Sequence, residues 1–249
     1  MQAPFQITFE NGLTAQAAYL SEMAGLPLAL QHLGFHSTRP TLVIIGGASG
    51  LSAEDLERLR SLFKNVICPF VSARNFAVID GGTDAGVMQL MGQSRKATRG
   101  NFPLIGVVVE QKVILPTQPP PAADAVALEP YHTHFLLVPG SEWGEESLWI
   151  AQAATALSVG QPSLTLLING GAIALHQDVP NSLQQSRPVL VIGGSGRSAD
   201  RLAHAVAGKI SDPEIQSLVN SGLIHTIDLA IGQSPVTAAL QHISEISSY

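Results

Sequence analysis

PVLVIGGSGRSAD (188–200) runs from an apolar, β-branched segment through a glycine doublet into the polar opening of a helix. Gly194, Gly196 and Ala199 satisfy G-x-G-x-x-A directly after a strand and at a helix start, the context that raises this short pattern above chance. Four further apolar runs also end in glycine: TLVIIGG (41–47), AVIDGG (77–82), FLLVPG (135–140) and LTLLINGG (164–171). PLIGVVVE (103–110) is a sixth run without the terminal glycine. Their apolar character is continuous, where a half-buried strand would alternate, so these strands are expected to be covered on both faces, as in parallel sheets.

Helical patterns separate the runs. Ser52 reads as an N-cap with Asp55 three residues on, and Leu56, Leu59 and Phe63 share one helical stripe. Residues 85–96, 145–158 and 199–207 complete the alternation. Strand followed by helix, repeated, predicts an α/β fold with a doubly wound, mainly parallel sheet and helices on both faces. Residues 1–38 are expected to hold a strand at 5–9 and a helix at 15–24. Residues 111–131, with TQPPPAADAVALEP, form a proline-rich excursion longer than the usual connection, either a lid or a surface loop. After Asp212, Pro213 stands at a helix N1 position, and Ser234 and Pro235 open a last helix.

The 249 residues suit one large α/β domain over 1–249. Charged residues are 13% of the chain, against roughly 25% in an ordinary soluble domain. With 45% apolar residues, that excludes disorder for most of the chain. No apolar run approaches the ~18 residues of a membrane span. MQAPFQITFENG has neither a basic n-region nor an apolar h-region, so a cytoplasmic location is expected. Cys68 stands alone, which excludes a disulfide within the chain and a cysteine metal cage. The net charge is −6 and the basic residues are scattered, so a nucleic-acid groove is not expected.

In an open parallel sheet, ligands sit beyond the carboxyl ends of the strands, where these glycines fall. Glycine there permits positive φ and close approach of a phosphate, while the next helix presents unpaired N–H groups. The doublets Gly46/Gly47, Gly81/Gly82, Gly170/Gly171 and Gly193/Gly194 therefore mark an anion or nucleotide site. Valine at Gly194 or Gly82 is expected to remove binding and leave folding intact. Arg197 can pair bidentately with a phosphate. The acid that dinucleotide dehydrogenases place about 20 residues after the motif has no clear counterpart, since Asp212 and Glu214 lie beside Pro213. His132 and His134 are expected on one face, as half a metal site or as hydrogen-bonded or ligand-contacting imidazoles. Asp80 reads as a ribose contact or a turn cap, and Glu145 and Glu146 suit a helix start. Ser195 in G-S-G does not meet the nucleophile-elbow pattern.

Taken in order, RPTLVIIGGASG (39–50), AVIDGGTDAGVMQLMG (77–92), YHTHFLLVPGSEWGEE (131–146), LLINGG (166–171) and PVLVIGGSGRSAD resemble the cytosolic N-terminal homology region of the melastatin-type TRP cation channels. That region, of the LSDAT type, belongs to the SLOG superfamily, which also includes the LOG nucleotide hydrolases and the DprA/Smf proteins. The resemblance covers residues 39–208, with 209–249 left as a helical extension, and looks like a prokaryotic stand-alone version. It implies a Rossmann-like fold binding a nucleotide-derived ligand of the ADP-ribose or NAD-derived class, with no cofactor or metal required. The contacts it implies are Gly46, Gly47 and Ala48; Gly81, Gly82 and Thr83; His134, Trp143 and Glu146; Gly170 and Gly171; and Gly194, Ser195, Gly196 and Arg197. The chain departs from the channels at Ile150, where an arginine can occur.

The LOG hydrolases carry PGG-x-GT-x-x-E with a working glutamate. The matching stretch here is NGGAIALHQD (169–178), with His176 and Gln177 where the acid would fall and Asp178 one residue further. The leading expectation is thus a ligand sensor that reports occupancy to a homo-oligomer or an effector partner. The alternatives are a nucleotide N-glycosidase or phosphoribohydrolase, and an interaction scaffold with a vestigial site.

Overall fold

The structure is a computed structural model that describes residues 3–47 and 52–246. The chain begins with an antiparallel hairpin of β1 (Phe5–Thr8) and β2 (Thr14–Tyr19), followed by α1 (Leu26–His32). Then come β3 (Thr41–Gly46), α2 (Ala53–Leu62), α3 (Cys68–Ala73), β4 (Ala77–Asp80), α4 (Gly86–Thr98) and β5 (Leu104–Val109). The long excursion holds β6 (Val113–Ile114) and β7 (Val126–Ala127), which pair with each other in a separate two-stranded sheet. The second half comprises β8 (His134–Val138), α5 (Ser147–Leu157), β9 (Ser163–Ile168), α6 (Val179–Gln184), β10 (Val189–Gly193), α7 (Arg197–Val206), α8 (Pro213–Val219), β11 (Ile224–Asp228) and α9 (Gln233–Ile246).

Among the described residues the main sheet runs β1-β2-β8-β5-β4-β3-β9-β10-β11, and every pairing except β1 with β2 is parallel. The chain builds outward from β3 through β4 to β5, then crosses to lay β9, β10 and β11 on the opposite side of β3. The order therefore reverses between β3 and β9, which makes their carboxyl ends the topological switch point.

The continuous apolar runs are buried as their composition requires: β4, β5 and β10 are buried at every residue. Val43, Ile45, Ile79, Val107, Leu167 and Val191 face α1, α5, α6 and α7, while Leu42, Ile44, Val78, Leu104, Leu166 and Ile168 face α2, α3, α4 and α9. Each such side chain contributes about 1.5–3 kcal/mol on burial, so a strand covered on both faces draws stability from every residue. Ser52 caps α2 as read, its Oγ accepting the Asp55 N–H at 3.1 Å.

Three expectations are corrected. Residues 15–24 are not a helix: Thr14–Tyr19 is a strand, because pairing with β1 and β8 overrides the helical propensity of its alanines. The C-terminal segment is not wholly helical, since Ile224–Asp228 forms the edge strand beside β10. His132 and His134 do not share a face. His132 precedes β8 and stacks on Phe135 at 5.4 Å between ring centroids, whereas His134 packs against Phe35 at 4.7 Å. Strand alternation then sends Phe135 and His134 to opposite sides.

Candidate nucleotide site at the switch point

A cavity of about 370 Å3 opens where β3 and β9 end. Of the residues singled out in sequence, Gly46, Gly47, Gly81, Glu146, Gly171 and Arg197 line it together, joined by Asp178. Ile44, Ile45, Met88 and Ile150 supply apolar wall. Ile150, which departs from the channel-like pattern, thus presents a hydrophobic surface where a cation would otherwise stand.

The glycines of the first two doublets divide their work. A Cβ on Gly46 would lie 1.8 Å from the Ile168 carbonyl oxygen, and one on Gly82 would lie 2.8 Å from the Gly106 Cα, so these two exist for backbone packing. Beside them, a Cβ on Gly47 or Gly81 would meet nothing closer than 3.8 Å. Several rim N–H groups are already used within the fold. Gly47 donates to the Ile168 carbonyl at 3.2 Å, Gly82 to Asp80 Oδ1 at 2.8 Å and Gly194 to Asp200 Oδ1 at 2.7 Å. The rim main chain therefore offers fewer anion donors than the glycine count implies.

Arg197 opens α7 with φ at +48°, a left-handed conformation that costs a non-glycine residue roughly 1–3 kcal/mol and gathers at functional sites. Its guanidinium lies over Gly171, where an added Cβ would be 2.9 Å from Nη2. A side chain at 171 would displace this guanidinium. Asn169, also left-handed at φ +57°, knits the two glycine turns together. Its N–H donates to Ser195 Oγ at 2.8 Å and its Nδ2 to the Ser195 carbonyl at 2.8 Å, while its own carbonyl accepts the Ala199 N–H at 2.8 Å. Ser195 is buried and its hydroxyl donates to the Ile192 carbonyl at 2.5 Å, so it serves this knot and is not presented as a nucleophile. The asparagine before the glycine doublet was the available sequence signal for this arrangement.

Two carboxylates, Glu146 and Asp178, line the same cavity as Arg197. Burial pushes Asp178 up to about 7 against a hydrogen bond from Ser147, with the neighbouring Glu146 charge adding to the rise. Burial also raises Glu146, whose Oε2 accepts the Gly144 N–H at 2.9 Å. With a pKa of about 7, the Asp178 carboxyl can both accept and donate hydrogen bonds near neutral pH. His176 turns away and pairs with Glu214 at 2.9 Å. Glu145 caps its own turn, accepting the Ser141 and Glu142 N–H groups at 2.6 and 2.9 Å.

The remaining candidates stand outside the cavity lining. Thr83 is buried and bridges to Leu128. His134 bonds Thr133 Oγ1 at 2.7 Å, and burial pulls it down to about 4, so it is neutral. Trp143 donates its indole N–H to Asp124 of the proline-rich excursion at 3.0 Å, and no residue of 111–131 reaches the cavity lining. Gly170 supports the turn at φ +74°, and Gly196 precedes α7 at φ +96°. Ala48 lies outside the described residues. Among the described residues, no three His, Cys, Asp or Glu side chains are grouped to hold a metal ion, and no helix is long and apolar enough to cross a membrane.

Asp80 takes the turn-capping role and more. It is fully buried, and its Oδ1 lies 2.8 Å from His132 Nε2, while His132 Nδ1 lies 2.8 Å from Glu129 Oε2. Burial alone would lower the His132 pKa, but the Asp80 and Glu129 charges and hydrogen bonds outweigh it and hold the imidazole up at about 9. This buried cluster anchors the Gly81/Gly82 turn from beneath.

The profile of the family described as SLOG in TRPM, prokaryote, matches residues 39–238. The chain belongs to that family. The match runs through β11 and into α9, so the C-terminal strand is part of it. Rat transient receptor potential cation channel subfamily M member 2 is 23% identical over 231 residues, spanning 79% of this SLOG chain and 15% of the channel. The Nematostella vectensis subfamily M member-like 2 protein is 25% identical over 269 residues, spanning 90% of the chain and 17% of that relative. The chain thus corresponds to a small fraction of these channels' length.

Proposed function

We propose that this SLOG protein is a ligand-sensing domain that binds a nucleotide-derived small molecule of the ADP-ribose or NAD-derived class between β3 and β9. The observation that carries the reading is the polarity of the cavity. One guanidinium on a strained backbone and two half-buried carboxylates line the same cavity beside an apolar wall. A phosphate suits Arg197, hydroxyl-rich sugar suits Glu146 and Asp178, and Met88 and Ile150 close the cavity with apolar surface. Its position at the switch point of a doubly wound sheet supports the same reading. Occupancy is then passed on through the surrounding elements to another copy or an effector in the cytoplasm.

The carboxylate pair also favours a second reading, nucleotide N-glycoside hydrolysis, because raised carboxyls near a sugar can serve as acid and base. Thermal-shift measurements with ADP-ribose, NAD, AMP and cyclic ADP-ribose, followed by chromatography for released base, separate the two. A rise in Tm with at least one of these ligands and no base above background is expected. Base release that disappears in Asp178→Asn or Glu146→Gln, with binding retained, would replace the sensor by the hydrolase.

A further inference from the structure

The strand after α7 ends in an acid. β11 runs parallel to β10 with Gly193 opposite Asp228, so β10, α7 and β11 form a βαβ unit. Its first turn carries Gly194, Gly196 and Ala199, and its second strand closes on Asp228. In a dinucleotide-binding unit the carboxylate at that place receives ribose hydroxyls. The spacing of about 20 residues hides it here, because α8 is inserted before the strand.

Between α7 and β11 lies a cleft of about 280 Å3, bordered by Gly194, Asp200, His204, Lys209, Thr226 and Asp228. Asp228 Oδ1 accepts the Ala230 N–H at 2.7 Å, and an ionised carboxylate offers about four lone-pair sites, so accepting capacity remains. A Cβ on Gly194 would stand 3.3 Å from that same oxygen, so glycine there keeps the turn clear of the carboxylate. Asp200 already holds the Gly194 N–H. The turn is therefore flanked by two carboxylates on this side, and Arg197 marks the phosphate-compatible side.

We propose that the Asp228 cleft is a second subsite, which takes the 2′,3′-cis-diol of the adenosine ribose while the ligand's phosphates lie toward Arg197. The two hydroxyls donate to the Asp228 carboxylate, and Lys209 and His204 stand within the same cleft as donors to the remaining sugar or base acceptors. A 2′-phosphate would place a dianion against Asp200 and Asp228, so the cleft selects ribose that is not phosphorylated there. This inference rests on the nucleotide-ligand reading above.

Calorimetric titration of ADP-ribose and 2′-phospho-ADP-ribose into the parent, Asp228→Asn and Arg197→Ala tests it. Asparagine keeps an Oδ1 acceptor for the Ala230 N–H, so the local fold is retained. The parent should bind ADP-ribose at least about tenfold more tightly than the 2′-phosphate, from loss of a charge-assisted hydrogen bond and added repulsion. Asp228→Asn should weaken ADP-ribose binding by about tenfold and shrink the preference, whereas Arg197→Ala should weaken both ligands and keep it. Unchanged ADP-ribose affinity in Asp228→Asn, or equal affinity of the parent for the two ligands, overturns the subsite alone. A parent that binds neither ligand refutes the functional reading and the subsite with it.

Discussion

Replacing His132 with alanine is expected to cost about 3–5 kcal/mol of folding stability, the range for removing one partner from a buried ion pair. Asp80 and Glu129 are both fully buried, and the imidazole between them bonds one carboxylate oxygen of each. Without it, two like charges share a dry site. The charged imidazole also sets a pH dependence. His132 titrates near 6.5 in the unfolded chain and at about 9 when folded, so its contribution is complete below about 6.5 and is lost as pH rises through about 9. Chemical denaturation of the parent should show stability falling between about pH 7 and 9.5, and that decline should be absent in His132→Ala. A His132→Ala variant within about 0.5 kcal/mol of the parent, the range of an ordinary surface change, would show the cluster to be energetically neutral.

Alanine at Gly82 should destabilise the fold by roughly 3 kcal/mol or more, while alanine at the adjacent Gly81 should leave folding nearly unchanged. Gly82 sits at φ +62°, and its new Cβ would press on the Gly106 Cα at 2.8 Å and the Val108 side chain at 2.9 Å. Gly106 is in β5 and cannot withdraw without breaking the ladder to β4 and β8. At Gly81 the nearest atom to an added Cβ is the end of Met88 at 3.9 Å, which can move. The sequence-based expectation that Gly82→Val would remove binding and spare the fold is therefore reversed. Urea denaturation of the two variants side by side decides the point, and equal midpoints would contradict this division of labour.

The doubly wound sheet was legible because strands covered on both faces must be continuously apolar, and β3, β4, β5, β9 and β10 are. The two strands that were misread lie toward or at the sheet's edges. TAQAAY in β2 carries small residues of good helical propensity, and its conformation comes from partners distant in sequence. IHTID in β11 is half exposed and short, with no apolar run to announce it. The glycine doublets located the rim, but which member of each packs and which faces the cavity depends on neighbours such as Ile168 and Phe135. The pairing of Glu146 with Asp178 was equally hidden, since α5 and the turn before α6 meet only in three dimensions. Asp80, Glu129 and His132 come from a strand end and the loop before β8, and nothing in their spacing signals that they form one cluster.

The most direct test of ligand recognition at the switch point is a titration of ADP-ribose into the parent and Arg197→Ala. Arg197 is the cationic side chain lining that cavity, and the glycine turns beside it have already committed several N–H groups. Its removal should cost about 1.5–3 kcal/mol in affinity, as for a charge-assisted hydrogen bond. Arg197→Lys should recover only part, because a bidentate fork becomes a point charge. Binding of ADP-ribose with equal affinity by the parent and Arg197→Ala would contradict recognition at this cavity.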